Sequence, residues 1–322
     1  MLKSPFGIEI EFTGITRDKA ADVVAEYLGG SISCQFDYYD THVITAPDGR
    51  KWKIMFDSSI TCRERTGRGS VYADADYACE LVSPILHYHE DIDTLQGMVR
   101  RLRRAGGMTN SSCGIHIHLD GAPHSARTLR NFVNIIASHN DLFYKALQIE
   151  PNRMQYCQKM DRALVESLNS LKPKTLDRLE DIWYSCLPDG NRAQHYHSSR
   201  YQFLNLHSFF HGHKTVELRG FNSELHAGKV RAYVVFALAM NHQALTQSYV
   251  RYKKVQEENE KFAMRVYLNR IGLIGDEFKS CRKHLYEHLD GNAAWRYGSK
   301  ENCRSHRSPK NENETTEDEV SR

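Results

Sequence analysis

Three short segments of the sequence each carry two ionisable residues separated by one apolar residue. These pairs are Glu9 with Glu11, His116 with His118, and Glu217 with Arg219. Residues two apart on a β-strand point to the same face of a sheet, so each segment predicts one ionisable side and one apolar side. For any single pair, the solvent-exposed face of an amphipathic sheet is the simpler explanation.

Three such pairs in one chain favour a functional site over three ordinary exposed faces. Glutamate has a low strand propensity, and exposed strand faces usually also carry Thr, Lys, Ser and Gln. Carboxylates together with imidazoles suit divalent cations, and this oxygen-rich set favours Mg²⁺ or Mn²⁺ over zinc. The guanidinium of Arg219 has the planar fork that binds phosphate or carboxylate. These groups together are the components of phosphoryl-transfer catalysis.

Two further segments place polar residues among apolar strand residues. Glu80 lies in CELVSP, and in WKIMFD the residues Lys53 and Asp57 alternate with apolar ones. The sequence contains no Walker A motif, no Gly-x-Ser-x-Gly elbow and no His-Glu-x-x-His motif. A bound nucleotide would therefore have to lie on the sheet itself.

The order of the predicted elements indicates the fold class. Strand patterns dominate the first part of the chain and helical patterns the last, without a regular helix between successive strands. This order predicts an α+β fold with an antiparallel sheet. A single catalytic domain is expected over residues 1–290, with a helical insertion at about 151–197. Residues 63–70 are polar and glycine-containing and predict a mobile loop. Residues 298–322 cannot bury an apolar face and predict a disordered polar tail.

Composition argues against several classes of protein. The net charge is only +3, and the arginine cluster at residues 100–104 is explained by a solvated helix face, which argues against a nucleic-acid partner. The longest apolar run, Ala232 to Met240, is far shorter than the ~20 residues that cross a bilayer. The eight cysteines form no Cys-x-x-Cys pair. These features, with no signal-peptide pattern at the start, predict a reduced cytoplasmic protein.

A dense group of histidines lies late in the chain. Its members are His195, His197, His207, His211 and His213. The spacing is compatible with a structural zinc site, but no cysteine accompanies these residues. We therefore expect an exposed polar loop, with zinc as the alternative.

Six motifs in a fixed order, between about residues 5 and 245, resemble those of the amidoligase family. The motifs are GIEIEF, WKIMFDSSI, ELVSP, CGIHIHLD, RYQFLNL and VELRGFNS. This family is part of the glutamine synthetase-like group of carboxylate–amine ligases, whose Gly-x-His-x-His and Glu-x-Arg strands are similar to those here. The resemblance implies a curved antiparallel sheet with helices on one face, which binds ATP and two or three Mg²⁺ (or Mn²⁺) ions.

The resemblance also implies roles for matching residues. Glu9, Glu11, Glu80 and Glu217 would bind the metal ions, and His116 would lie near a metal ion or the γ-phosphate of ATP. These roles are implied by the match to the family motifs; the two-residue spacing of the pairs does not by itself assign them.

Five further residues complete the predicted site. By the same resemblance, His118 would face the nucleotide and Arg219 would stabilise the transferring phosphoryl group. Asp57 and Arg200 match other motif positions and join the catalytic candidates. Lys53 is a further candidate for binding the nucleotide or the substrate, because of its position in the strand.

The predicted reaction joins a carboxylate to an amine at the expense of ATP. ATP would phosphorylate a small-molecule or peptide carboxylate, and an amine would attack the acyl phosphate to give an amide or isopeptide bond. Three alternatives stay open: a guanidino-kinase-like phosphotransferase on the same scaffold, a metal-dependent hydrolase using His116 and His118, and a non-enzymatic module that binds nucleic acid through its arginine runs.

Overall fold

The strands of the protein form one large sheet and one small hairpin. The computed structural model describes residues 1–35, 37–67, 69–186, 191–254 and 258–305. The strands are β1 (Phe6–Phe12), β2 (Ser31–Gln35), β3 (Thr41–Thr45), β4 (Lys51–Met55), β5 (Arg63–Thr66), β6 (Gly69–Tyr72), β7 (Cys79–Val82), β8 (Gly114–Asp120), β9 (Leu204–Asn205) and β10 (Thr215–Asn222).

Eight of these strands make an open sheet in the order β2-β3-β4-β7-β1-β8-β10-β9. Every neighbouring pair in this sheet is antiparallel. The strands β2 and β9 therefore lie at opposite edges, and the six strands that carry the motifs are consecutive in the order β4-β7-β1-β8-β10-β9. The predicted α+β fold with an antiparallel sheet is confirmed.

Ten α-helices lie between and after these strands in the described residues. They are α1 (Arg17–Leu28), α2 (Tyr88–Arg104), α3 (Ala126–Ala146), α4 (Arg162–Leu171), α5 (Leu176–Ser185), α6 (His207–His211), α7 (Ala227–Thr246), α8 (Glu260–Arg270), α9 (Lys279–Tyr286) and α10 (Lys300–Ser305). The helices α1, α2, α3 and α7 pack on one another, while α1 and α7 also contact strands of the sheet. Among the helices of the described residues, none is long and apolar enough to cross a membrane.

The apolar side of the sheet faces these helices. Ile8, Ile10 and Phe12 of β1 are buried in the main core with Leu81 of β7 and Ile117 of β8. The burial of each such side chain contributes roughly 1.5–3 kcal/mol to folding. Because side chains alternate along a strand, packing this side in the core directs the intervening ionisable residues to the opposite side.

Three local predictions can be compared with the structure. The predicted insertion at 151–197 does contain two helices, α4 and α5. The loop expected at residues 63–70 is wrong, because β5 and β6 pair as an antiparallel hairpin in which the Arg63 guanidinium lies 4.8 Å from the Tyr72 ring centroid. In the predicted tail, residues 300–305 form α10, whereas residues 306–322 lie outside the described part of the chain.

Candidate active site

The polar side of the sheet forms the floor of a cavity of about 1010 Å³. All ten residues predicted from the sequence line this cavity: Glu9, Glu11, Lys53, Asp57, Glu80, His116, His118, Arg200, Glu217 and Arg219. A volume of this size lies at the upper end of the range for small-molecule sites. The structure therefore brings the whole predicted set to one place.

Strand register explains why the ionisable residues meet. Glu11 on β1 lies opposite Glu80 on β7, and Glu9 lies opposite His116 on β8. His118 in turn lies opposite Glu217 on β10. Residues directly opposite in an antiparallel pair project from the same face, so three strand junctions add their side chains to one continuous patch.

Three overlapping groups within this patch have the spacing of cation ligands. In each group one ligand atom per residue lies within 4.8 Å of the others: Glu9 with Glu80 and His116, Glu9 with His118 and Glu217, and Glu11 with Asp57 and Glu80. Glu9 and Glu80 each belong to two groups. Five carboxylates and two imidazoles fit hard or borderline divalent cations such as Mg²⁺ or Mn²⁺. The structure adds Asp57 and both histidines to the four predicted ligands.

Two carboxyl groups of the patch have raised pKa values, because burial and like charges disfavour their ionised forms. Burial, followed by the nearby charge of Asp57, raises the pKa of Glu11 to about 8. Burial, with the charges of Glu9, Glu11 and Asp57, raises the pKa of Glu80 well above its usual value. A bound cation reverses this balance, because its charge favours the ionised carboxylates. The residues present therefore fit the metal ions that the motifs imply.

Glu217 and Glu9 are held ionised by their neighbours in the patch. Burial raises the pKa of Glu217, but the charges of Arg219 and His118 outweigh it and lower that pKa to about 2. Arg219 donates to Glu217 in a buried ion pair, and Asn205 Nδ2 donates to Glu217 Oε2 over 2.6 Å. Glu9 has a pKa well below its usual value because the charge of His118 and the hydrogen bonds from His116 and His118 outweigh the effect of burial.

The two histidines differ in charge. Burial and the charge of Arg219 lower the pKa of His116 to about 4, so its ring is neutral, and Nδ1 lies 3.0 Å from Glu9 Oε2. Burial also lowers the pKa of His118, but Glu9 and Glu217 outweigh it and raise that pKa to about 9. A neutral imidazole can bind a metal ion, whereas His118 must lose its proton to do so.

Lys53 and Arg200 line the cavity but belong to none of the three groups. Lys53 lies opposite Val82 on the same side of the sheet and is exposed. The Arg200 guanidinium lies 5.1 Å from the ring centroid of Tyr196 and 5.8 Å from that of Tyr201. Both cations therefore lie in the cavity lining, outside the carboxylate patch.

A buried arginine that the motifs did not indicate also lines the cavity. Arg153 is 2% exposed and donates to the backbone carbonyls of Arg219 and Phe221, where β10 departs from regular register. Its guanidinium lies against Gly114, whose Cβ, if present, would be 2.3 Å from Arg153 Nη2. Gly114 N–H donates to Glu11 Oε2 over 2.6 Å. Arg153 thus supports the backbone around two site residues. Nothing in the local sequence around Arg153 signals this burial.

Ring contacts join three of the late histidines, His197, His207 and His211, and the expectation of an exposed loop is wrong for the first two. His197 is 0% and His207 6% exposed, and their rings stack at 5.4 Å. His207 Nε2 lies 3.1 Å from the Gln194 carbonyl, so it donates and leaves Nδ1 to accept from the Tyr184 hydroxyl at 2.6 Å. None of the three cation groups among the described residues includes these histidines. Packing of the insertion on α6 buries them, which the sequence spacing alone does not show.

Comparison with known proteins gives one family. The family model described as "putative amidoligase enzyme" matches residues 3–241, well over half of the 322 residues. This range includes every strand of the sheet and all ten predicted site residues. No curated protein matches the chain. The chain belongs to the amidoligase family that this model describes.

Proposed function

We propose that this protein is an ATP-dependent carboxylate–amine ligase that forms an amide or isopeptide bond through an acyl phosphate. The observation that carries the proposal is the overlap of three carboxylate-rich cation groups with Arg219 in one cavity. Membership of the amidoligase family supports a ligase-type enzyme. The ATP requirement and the acyl-phosphate route are the parts that need experiment.

The chemistry needs two displacement steps. A carboxylate oxygen of the acid substrate attacks the γ-phosphorus of ATP, and ADP leaves, which gives an acyl phosphate. The amine nitrogen then attacks the acyl carbon, inorganic phosphate leaves with the former carboxylate oxygen, and the nitrogen loses a proton. Direct attack of an amine on a carboxylate fails because that group has no good leaving group, and phosphorylation supplies one.

Residues on the floor of the cavity would hold and orient the phosphates. The carboxylates of Glu9, Glu11, Glu80 and Glu217 would bind divalent cations, which neutralise phosphate charge when bound, and their close spacing supports this role. Arg219 is 6% exposed and is held by Glu217, so its guanidinium is fixed beside the patch. A fixed cation of this kind stabilises charge that develops on the transferring phosphoryl group.

The cavity also has room and charge for a second substrate. Lys53 and Arg200 lie outside the cation groups and carry positive charge along the cavity lining. We propose that they bind the carboxylate substrate or the outer phosphates of ATP. The acid and the amine would be small molecules or peptides.

The test follows oxygen from the acid into phosphate. A panel of carboxylates labelled with ¹⁸O, including glutamate, aspartate and short peptides, is incubated with the protein, Mg²⁺–ATP and an amine panel that includes hydroxylamine. The proposal expects one labelled oxygen in inorganic phosphate for each amide formed. A stable phosphorylated acceptor would instead identify a phosphotransferase, and bond cleavage without ATP would identify a metal-dependent hydrolase. Either result overturns the ligase proposal.

A further inference from the structure

Two tyrosine hydroxyls from distant parts of the chain meet in the lining of the cavity. Tyr39 Oη and Tyr196 Oη are 2.7 Å apart, although 157 positions separate the residues, and both line the cavity. Tyr39 lies between β2 and β3, at one end of the sheet, whereas Tyr196 precedes β9 at the opposite edge. The contact therefore connects segments from opposite ends of the eight-stranded order.

The segment that carries Tyr39 is anchored to the body. Asp37 Oδ1 accepts hydrogen bonds from the backbone N–H groups of Tyr39 and Thr41 at 3.1 and 3.2 Å. The Tyr39 carbonyl accepts from Phe56 N–H at 2.7 Å. Asp40, in the left-handed region with φ 44°, pairs with buried Arg17 at 2.8 Å. These hydrogen bonds and this ion pair fix the turn from which the Tyr39 side chain extends.

The segment that carries Tyr196 is held by turns and ring contacts. Gln194 N–H donates to Asn191 O at 3.1 Å, and the Gln194 carbonyl accepts from His207 Nε2. The ring of Tyr196 lies between His195, at 4.5 Å between centroids, and the guanidinium of Arg200 at 5.1 Å. Tyr196 itself is 53% exposed, so solvent reaches its side chain beside the contact to Tyr39.

We propose that Tyr39 and Tyr196 form a clasp that controls the passage of substrates and products between the cavity and solvent. A single partly exposed hydrogen bond favours the closed state by a factor of only about 2–10. Such a weak contact opens and closes readily, which is required of a contact that controls entry to a cavity. The hydroxyls belong to neither the cation groups nor the cationic residues assigned to the substrates.

The clasp has a chemical consequence that rests on the proposed function. An acyl phosphate that meets water instead of the amine gives back the carboxylate and releases phosphate, so ATP is consumed without an amide. Closing a site removes water from a reactive intermediate. Loss of either hydroxyl should therefore raise the ratio of phosphate released to amide formed.

Hydrogen–deuterium exchange of the free protein tests the clasp without any substrate. In Tyr39→Phe, the amide hydrogens of residues 191–197 should exchange about 2–10 times faster, and in Tyr196→Phe those of residues 37–41 should do the same. The double variant should match the single ones, because each hydroxyl acts through the other. Tyr38→Phe, which removes a hydroxyl from the neighbouring ring, is the matched control and should leave both segments unchanged.

Nucleotide kinetics test the access role. With Mg²⁺ and a fluorescent ATP analogue as the probe, both single variants should raise the association and dissociation rate constants about 2–10-fold while Kd changes less. Unchanged exchange in both segments, or unchanged rate constants with normal binding, overturns the clasp. Reciprocal exchange effects in a protein that binds no nucleotide would support the clasp contact and count against the proposed ligase.

Discussion

The two sides of the sheet are made from the same strands but serve opposite purposes. On β1, Ile8 and Ile10 point into the core, while Glu9 and Glu11 point into the cavity. Burial of the apolar side stabilises the folded protein and requires no ligand. The polar side crowds carboxyl groups, two of which have raised pKa values in the metal-free protein. One side therefore supports folding, and the other crowds ionisable groups that Arg219 and His118 balance only in part.

This comparison predicts that substitutions on adjacent residues of one strand separate stability from activity. The loss of a core side chain should lower the free energy of unfolding. The loss of a cavity side chain should lower turnover and leave folding intact. Sites of this kind commonly reduce the stability of the protein that carries them.

The largest effect is expected from Ile10→Ala and Leu218→Ala. Both side chains are fully buried, so each change should lower the free energy of unfolding by about 2–5 kcal/mol through lost transfer energy and a residual cavity. Denaturant titration measures this value. Ile32→Ala on β2 is the control, because Ile32 is 38% exposed and should cost far less. Equal losses at the three positions would contradict the assignment of the two sides.

Next in size is the loss of turnover in Glu11→Gln and Arg219→Lys. The first removes a carboxylate of a cation group, and the second keeps the charge of Arg219 but loses its planar fork. Each should reduce amine-dependent ATP turnover by a factor of about 10²–10³, equivalent to roughly 3–4 kcal/mol. Lys51→Gln, on an exposed residue of β4, is the control. Near-normal turnover in both variants would show that the active site lies elsewhere in the protein.

Glu11→Gln should also change the pH dependence of stability. The folded-state pKa of Glu11 is raised to about 8, so in metal-free protein its contribution to stability is present at low pH and is lost as pH rises towards about 8. Glutamine carries no such charge. With EDTA present, the variant should therefore gain Tm relative to the parent between about pH 5 and about pH 8. A constant difference across this range would contradict the raised pKa.

Another prediction concerns ligands that balance the polar side. Mg²⁺ or Mn²⁺ should raise Tm, and ATP should raise it further, because both bind the folded protein. The gain is about 2.7 kcal/mol at a hundredfold excess over Kd. Glu80→Gln, which alters a residue shared by two cation groups, should reduce the response to the metal. A Tm that neither metal nor nucleotide changes would contradict the proposed site.

A smaller effect is expected where Arg153 supports the site. In Gly114→Ala the new methyl group would overlap the Arg153 guanidinium, and overpacking of this kind costs about 1–3 kcal/mol of unfolding free energy. Turnover should also fall, because Gly114 N–H holds Glu11. Gly7→Ala is the matched control on the same sheet, since its Cβ would meet its nearest neighbour at 3.7 Å. Similar unfolding free energies and turnover in the two variants would show that Arg153 does not support the site.

The smallest effect is expected from deleting residues 306–322. This segment is polar and lacks the apolar residues that repay ordering entropy, so Tm and turnover should stay unchanged. Thermal denaturation of the truncated protein checks this. A fall in Tm of several degrees would show that the segment binds to the domain.

The sequence alone determined which residues could share a face and which chemistry they could support. The alternation in FGIEIEF and GIHIHLD assigns Glu9, Glu11, His116 and His118 to polar sides, because the period of a strand follows from its backbone geometry. The order of the predicted strands and helices also indicated an antiparallel sheet, because each of these elements is recognised from its local sequence pattern. Where signals were weak, as in residues 63–70, hairpin pairing overrode the local composition.

Tertiary structure alone decided how these faces meet. The pairing of Glu11 with Glu80 and of Glu9 with His116 depends on strand order and register, which packing of the whole core selects. The burial of Arg153 against Gly114 and the contact between Tyr39 and Tyr196 join residues far apart in the chain. Such contacts leave no periodic pattern in a single sequence, because their partners are set by the path of the chain between them.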